Sequence, residues 1–153
     1  MPRIPLPDWQ DEPDPQHPVL GGGSGPYRYR LLSDPGQLTQ FGAFIEELPP
    51  GSRSSFRHWH ETEDEMILVL QGSVTLVEDS ETVLTAGEAA AWPAGHPVGH
   101  SLHNHTEAPV RYLVIGTRNR TDRIHYPDHD LMTEKDGPAR RYFHADGRPR
   151  EKR

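Results

Sequence analysis

From Tyr27 onward apolar and polar residues alternate with a period of two. Runs at 27–32, 40–48, 54–60, 64–70, 73–78, 81–84, 88–92, 99–104 and 110–116 each read as a short strand. Turn signals separate them: Asp34-Pro35-Gly36, Pro49-Pro50-Gly51, Gln71-Gly72, Glu78-Asp79-Ser80, Ala86-Gly87 and Pro93-Ala94-Gly95. No window shows a 3.6-residue apolar repeat with helix caps. Many short strands with regular Gly/Pro punctuation predict an all-β sandwich or barrel. In one run Glu65, Ile67 and Val69 share a face while Met66, Leu68 and Leu70 share the other. That pattern predicts a strand buried on both sides.

Both ends differ from this middle. Residues 1–26 read as an extended arm: Pro2, Pro5, Pro7, Pro13, Pro15 and Pro18 oppose helix and sheet interior, and Gly21–Gly25 (GGGSG) is a flexible break. Ile4, Leu6 and Trp9 leave open a docked arm, across a partner subunit among other places. Residues 27–116 form the barrel. Residues 117–153 are a polar tail lying on or beside it, with RIHY and ARRYFH as possible short edge strands.

At 153 residues the chain is long enough for one cored domain. A formal charge of −7 argues against nucleic acid or an anionic membrane as partner. The absence of cysteine excludes disulfides, thiolate nucleophiles and every thiolate metal site. The N-terminal stretch has no apolar core of a signal peptide, and no apolar run approaches a membrane span, so the expected location is cytoplasmic.

The candidate chemistry lies in 51–72, GSRSSFRHWHETEDEMILVLQG. On a strand His58 and His60, two apart, share a face. On a helix they would diverge by about 200°. Glu65 opens the following run, where a carboxylate among apolar residues is costly to bury without a cation. Two imidazoles and a carboxylate at one point are ligands for a divalent transition metal. The sequence HETED is not the zinc-protease HExxH, because Asp64 holds the second histidine position. Glu61, Glu63 and Asp64 read as a solvated acidic turn. Arg57 and Trp59 alternate away from the ligands, and Trp92 suits either the core or a pocket mouth.

Taken together these motifs resemble the cupin superfamily, within it the small single-domain barrels. His58-x-His60-x₄-Glu65-x₆-Gly72 matches the first cupin motif without a gap. Gly87-x₅-Pro93-x-Gly95 and His100-x₃-Asn104 match the second, with a four-residue spacer, HPVG, in place of two. The resemblance covers roughly residues 40–116. It implies a double-stranded β-helix, or jelly-roll barrel, with the metal ligands His58, His60, Glu65 and His100. The longer spacer keeps His96 and His103 open as rivals for the fourth place. Strand parity groups His100 with Leu102 and Asn104, and turns His103 and His105 the other way.

Such ligands suit Mn, Fe, Co, Ni, Cu or Zn without distinguishing among them. Four protein ligands on an octahedral ion leave two positions for a small-molecule substrate, water or O₂. The expected function is therefore a metalloenzyme on a small oxygenated substrate, of isomerase, lyase or dioxygenase type. The alternative is a non-catalytic module that holds or senses a small ligand, with a structural metal. His96 and Tyr112 are the candidate general bases. Related small cupins pair through edge strands, which implies a homodimer.

Overall fold

The computed structural model describes residues 3–153; Met1 and the arm's Pro2 lie outside the described residues. Thirteen strands follow one another: β1 (Gln10–Glu12), β2 (Tyr27–Leu31), β3 (Phe41–Leu48), β4 (Trp59–His60), β5 (Glu65–Gln71), β6 (Ser73–Val77), β7 (Glu81–Thr85), β8 (Ala89–Trp92), β9 (Ser101–His103), β10 (Val110–Thr117), β11 (Thr121–Tyr126), β12 (Leu131–Asp136) and β13 (Ala139–Phe143). They form sheets ordered β1-β2-β3-β10-β5-β8, β13-β12-β11-β4 and β7-β6-β9. Among the described residues there is no helix, and hence none long and apolar enough to cross a membrane. The architecture is an all-β jelly-roll barrel.

The inward positions of the central strands make its core. Leu48, Ile67, Val69, Val110 and Tyr112 from the six-stranded sheet meet Val74, Leu76, Leu84 and Leu102 from the three-stranded one. Asn104 belongs to the same interior and is satisfied there. Its amide donates to the carbonyls of Leu48 and Ala108 at 2.9 and 2.8 Å, and its Oδ1 accepts from Thr106.

The outer face of β5 departs from the sequence reading. Ile67 and Val69 are buried, but Met66 and Leu70 are 39 % and 44 % exposed. Among the described residues none covers that side of the six-stranded sheet at these two positions, although Leu68 between them is half-buried, so the strand is fully buried on one face only.

The two ends are ordered on the barrel. β1 pairs antiparallel with β2, Gln10 opposite Tyr29, and so extends the six-stranded sheet on its own chain. Trp9 fixes this placement, with the guanidinium groups of Arg28, Arg30 and Arg111 at 4.5, 4.6 and 5.0 Å from its ring. At the other end RIHY and ARRYF lie within β11 and β13. Leu131–Asp136, which the sequence left as coil, is the strand between them. β11 is an interior strand, pairing β12 on one side and β4 on the other.

Gly72 makes the β5–β6 hairpin possible. It has φ +80°, and an added Cβ would sit 3.0 Å from the Pro109 carbonyl oxygen. Gly72→Ala is expected to cost about 1–3 kcal/mol, read as a lower urea midpoint at unchanged slope.

Candidate metal centre

Each site residue is delivered by a short, strongly fixed piece of chain. His58 and His100 form an isolated antiparallel bridge, with backbone N–H to O=C distances of 3.3 and 3.1 Å. His60 ends β4, opposite Ile124 of β11. Glu65 opens β5, between Gly116 of β10 and Trp92 of β8. The structure thereby brings His58, Glu65 and His100 into one cluster of metal-ligand type, with His60, the fourth sequence-predicted ligand, beside it across Glu65. His100 Nε2 lies 3.3 Å and His60 Nε2 3.7 Å from the same oxygen, Glu65 Oε2. The His58 ring centre is 5.1 Å from that of His60 and from that of His100.

The rings are oriented from behind. His58 Nδ1 donates to the Phe56 carbonyl at 2.8 Å, leaving the Nε2 lone pair free. His60 Nδ1 donates to Asp122 Oδ2 at 2.6 Å. Asp122 is itself locked, since its Oδ1 accepts from Thr62 N at 2.9 Å and Thr62 Oγ1 at 2.8 Å. A ring whose far nitrogen is held by a carbonyl or carboxylate is the usual supporting arrangement of a metal-bound histidine. His100 is held differently. It stacks on Trp92 with centroids 3.8 Å apart and planes 6° from parallel, and its buried Nδ1 has no hydrogen-bond partner. Trp92 is thus a core residue supporting the site, and its indole N–H donates to Glu78 at 2.8 Å.

Charge at the site follows from burial and pairing. Burial pushes His58 down to about 4, with His100 and His60 adding to that and Glu65 opposing it, so the ring is neutral at pH 7. Burial would raise Glu65, but the hydrogen bond from His100 and the surrounding imidazoles hold it down at about 2. His60 is raised: burial acts against its proton, and Asp122, Glu65 and Glu63 together overcome burial. A buried, ionised carboxylate beside His58 Nε2, whose lone pair is free, and beside His60 and His100 Nε2, which would give up their protons to a bound metal, is a donor set that fits a divalent cation.

Glu63 corrects the reading of HETED as a solvated turn. Its side chain is only 13 % exposed, forms an ion pair with Lys135 and lies 3.8 Å from His60 Nδ1. His60, Glu63 and Asp122 form a second cluster of metal-ligand type, but Lys135 already supplies its cation. Glu61 and Asp64 are tied down as well, to His125 and to the Ala94 N–H.

A cavity of about 320 Å³ opens over His58, His60 and Glu65. Phe44 and Val114 form its apolar wall, and Glu63, Thr117, Arg118 and Lys135 its polar one. The other candidates lie elsewhere. His96 is on an exposed turn. Tyr112 is 1 % exposed and donates to Glu46. Strand alternation sets both a layer below Phe44 and Val114. His103 lies on the opposite side of β9 from the core residue Leu102 and contacts Ser101 Oγ at 3.2 Å.

Asp122 and Lys135 were missed by sequence reasoning. They stand opposite each other in the β11–β12 pairing. The available signal was parity: Asp122, Ile124 and Tyr126 share one face, as do Leu131, Thr133 and Lys135.

Comparison with known proteins agrees with this construction. A family model described as the cupin domain matches residues 44–116. A sugar phosphate isomerase of the cupin superfamily from Silicibacter pomeroyi is 40 % identical, over 81 % of this chain and 80 % of its own, with a TM-score of 0.78. A structure from Acidithiobacillus ferrooxidans, provisionally named a sugar phosphate isomerase, also superposes with a TM-score of 0.78. It is 24 % identical over 82 % of this chain and 80 % of its own. A polyketide cyclase from Streptomyces resistomycificus shares the fold at 23 % identity, covering 76 % of this chain and 79 % of its own, with a TM-score of 0.59. No curated protein sequence matches significantly. With its barrel, its two motifs and a relative of that identity over four-fifths of both chains, the protein is a member of the cupin superfamily.

Proposed function

We propose that the protein binds one divalent transition metal through His58, His60, Glu65 and His100, and isomerises a small sugar phosphate there. The observation that carries the metal reading is the convergence of three rings and a carboxylate, with two of the rings anchored through Nδ1. The substrate class follows from the 40 % identical relative, described as a sugar phosphate isomerase. A bound metal would supply Lewis-acid polarisation of substrate oxygens. The chain's own groups do the rest. Glu63, a carboxylate on the same cavity outside the proposed ligand set, takes the role of proton acceptor. Lys135, paired with it, offers its remaining N–H donors to a substrate oxygen. Phe44 and Val114 exclude water from one side.

The test begins with elemental analysis of protein purified without chelator or histidine tag. Near-stoichiometric metal is expected. Interconversion of an aldose phosphate with its ketose, followed by NMR, should cease on chelation and return on metal addition. Metal-replete protein that leaves every tested sugar phosphate unchanged, yet is thermally stabilised by one of them, would replace the enzyme with a ligand-holding module.

We further propose a homodimer, formed through the open face of the six-stranded sheet. Met66 and Leu70, with Phe41 39 % exposed beside them, support that reading. Light scattering should give twice 17.3 kDa, and Met66→Glu/Leu70→Glu should give the monomer. A wild-type monomer at micromolar concentration would end this proposal.

A further inference from the structure

A second concavity lies further along the same pairing of chain segments. Arg53 bridges His103 just as His58 bridges His100. The cavity measures about 410 Å³ and is walled by residues 23–25 of the arm, 51–53 and 103–105. It shares no lining residue with the cavity over the metal ligands.

Its charge is one-sided. The chain has 23 acidic residues against 16 Lys and Arg, yet no carboxylate lines this wall; its ionisable groups are Arg53, His103 and His105. Arg53 donates to the Gly23 carbonyl at 3.3 Å and lies over the Phe56 ring at 4.5 Å, with no carboxylate among its partners within the described residues. The His103 and His105 rings are 5.5 Å apart. Burial first, then the charges of His105 and Arg53, make protonation of His103 harder, with Glu81 of β7 pulling the other way. The Asp14 carboxylate lies against Gly23, one of the lining residues, without itself lining the hollow. Arg53, a permanent cation with no carboxylate partner, faces two imidazole rings across this hollow, and an anion seated there would pair with its guanidinium.

The backbone is shaped to let a ligand approach. Gly25 and Gly51 have φ of +91° and +84°. A Cβ on Gly25 would meet Ser52 Oγ at 2.9 Å, so the two turns touch only because no side chain intervenes. Ser24 and Ser52 add hydroxyls to the same wall. A guanidinium fork, two imidazoles and hydroxyl donors around a glycine-walled hollow match a tetrahedral oxyanion.

We propose that this concavity binds a small oxyanion of the phosphate class, on Arg53, His103 and His105. The site stands apart from the metal centre and does not depend on the function proposed for it.

The experiment is an NMR titration of the full chain with inorganic phosphate at constant ionic strength, following the histidine side-chain signals. Saturable shifts are expected at His103 and His105, with affinity in roughly the millimolar range. Arg53→Ala should weaken binding about tenfold or more, and His105→Ala, at an exposed ring, severalfold. Arg53→Lys keeps the charge but loses the fork, and should fall between wild type and Arg53→Ala. Parallel titration with glycerol phosphate separates the two sources: tighter binding assigns the site to an ester, equal or weaker binding to the free ion. Identical shifts with chloride, or a folded Arg53→Ala protein with wild-type affinity, would overturn the proposal.

Discussion

Asp122→Asn is expected to weaken metal binding about 10- to 100-fold while leaving the barrel folded. The substitution keeps the shape and the bonds that Asp122 Oδ1 receives from Thr62. What changes is the atom facing His60 Nδ1, now 2.6 Å from a carboxylate oxygen. An amide nitrogen there is a donor, so it favours the tautomer protonated at Nε2, the nitrogen directed at Glu65. A ring protonated there has no lone pair for a metal. The loss corresponds to about 1.4–2.7 kcal/mol of binding energy and is measured by competition with a chromophoric chelator. His60→Ala belongs to the same series and should abolish binding and lower the melting temperature. His103→Ala should do neither. Unchanged affinity in Asp122→Asn would mean that His60 is not a ligand, or that its partner does not matter.

The second large effect concerns Glu46. Burial raises this carboxyl to about 7 from the ordinary 4.5, with the Glu65 charge adding to the shift and the Tyr112 hydroxyl opposing it. A group raised on folding contributes fully below its unfolded value, and the contribution is lost as pH climbs through the folded one. The native state therefore loses about 3 kcal/mol from this group between roughly pH 4.5 and 8. A glutamine side chain in its place has no such ionisation and still offers Tyr112 a carbonyl acceptor. The stability of Glu46→Gln relative to wild type is thus expected to improve by about 2.5 kcal/mol from pH 5 to pH 8. Its absolute offset includes any new amide donor left unpaired, so the change with pH is the quantity to measure, by urea melts at both ends. Parallel curves would show that Glu46 ionises in the fold as it does in water.

The fold was legible to the extent that apolar burial writes it. Most strands from β2 to β10 lie close to the expected runs, their inward positions being largely apolar, but the run expected over 54–60 is a strand only at Trp59–His60 and that over 99–104 only at Ser101–His103. β12 was not legible. Its inward residues are Leu131, Thr133 and Lys135, one apolar, one hydroxyl and one charge, and the charge is matched by Glu63, far away in sequence. No local pattern announces a partner at that separation. The same holds for Asp122, whose role exists only because β11 pairs with β4. His58, His60, Glu65 and His100 could be named from spacing and resemblance, since strand parity is a local property. The open face of β5 failed for the opposite reason: alternating Leu and Met read alike whether a neighbour in the chain covers them or not.

The late position of β11 has a consequence for how the site is made during synthesis. All four proposed ligands precede the segment that steadies His60, and β4, only two residues long, finds its partner in β11. A nascent chain that has reached Gly116 carries the ligands but not the carboxylate that sets one of them. Chain growth thus separates the appearance of the donors from their fixation, and metal arriving early would meet a His60 ring still free to turn. The ring of His60 is set only when β11 lies against β4, and Glu63 gains its cation later still, when β12 brings Lys135.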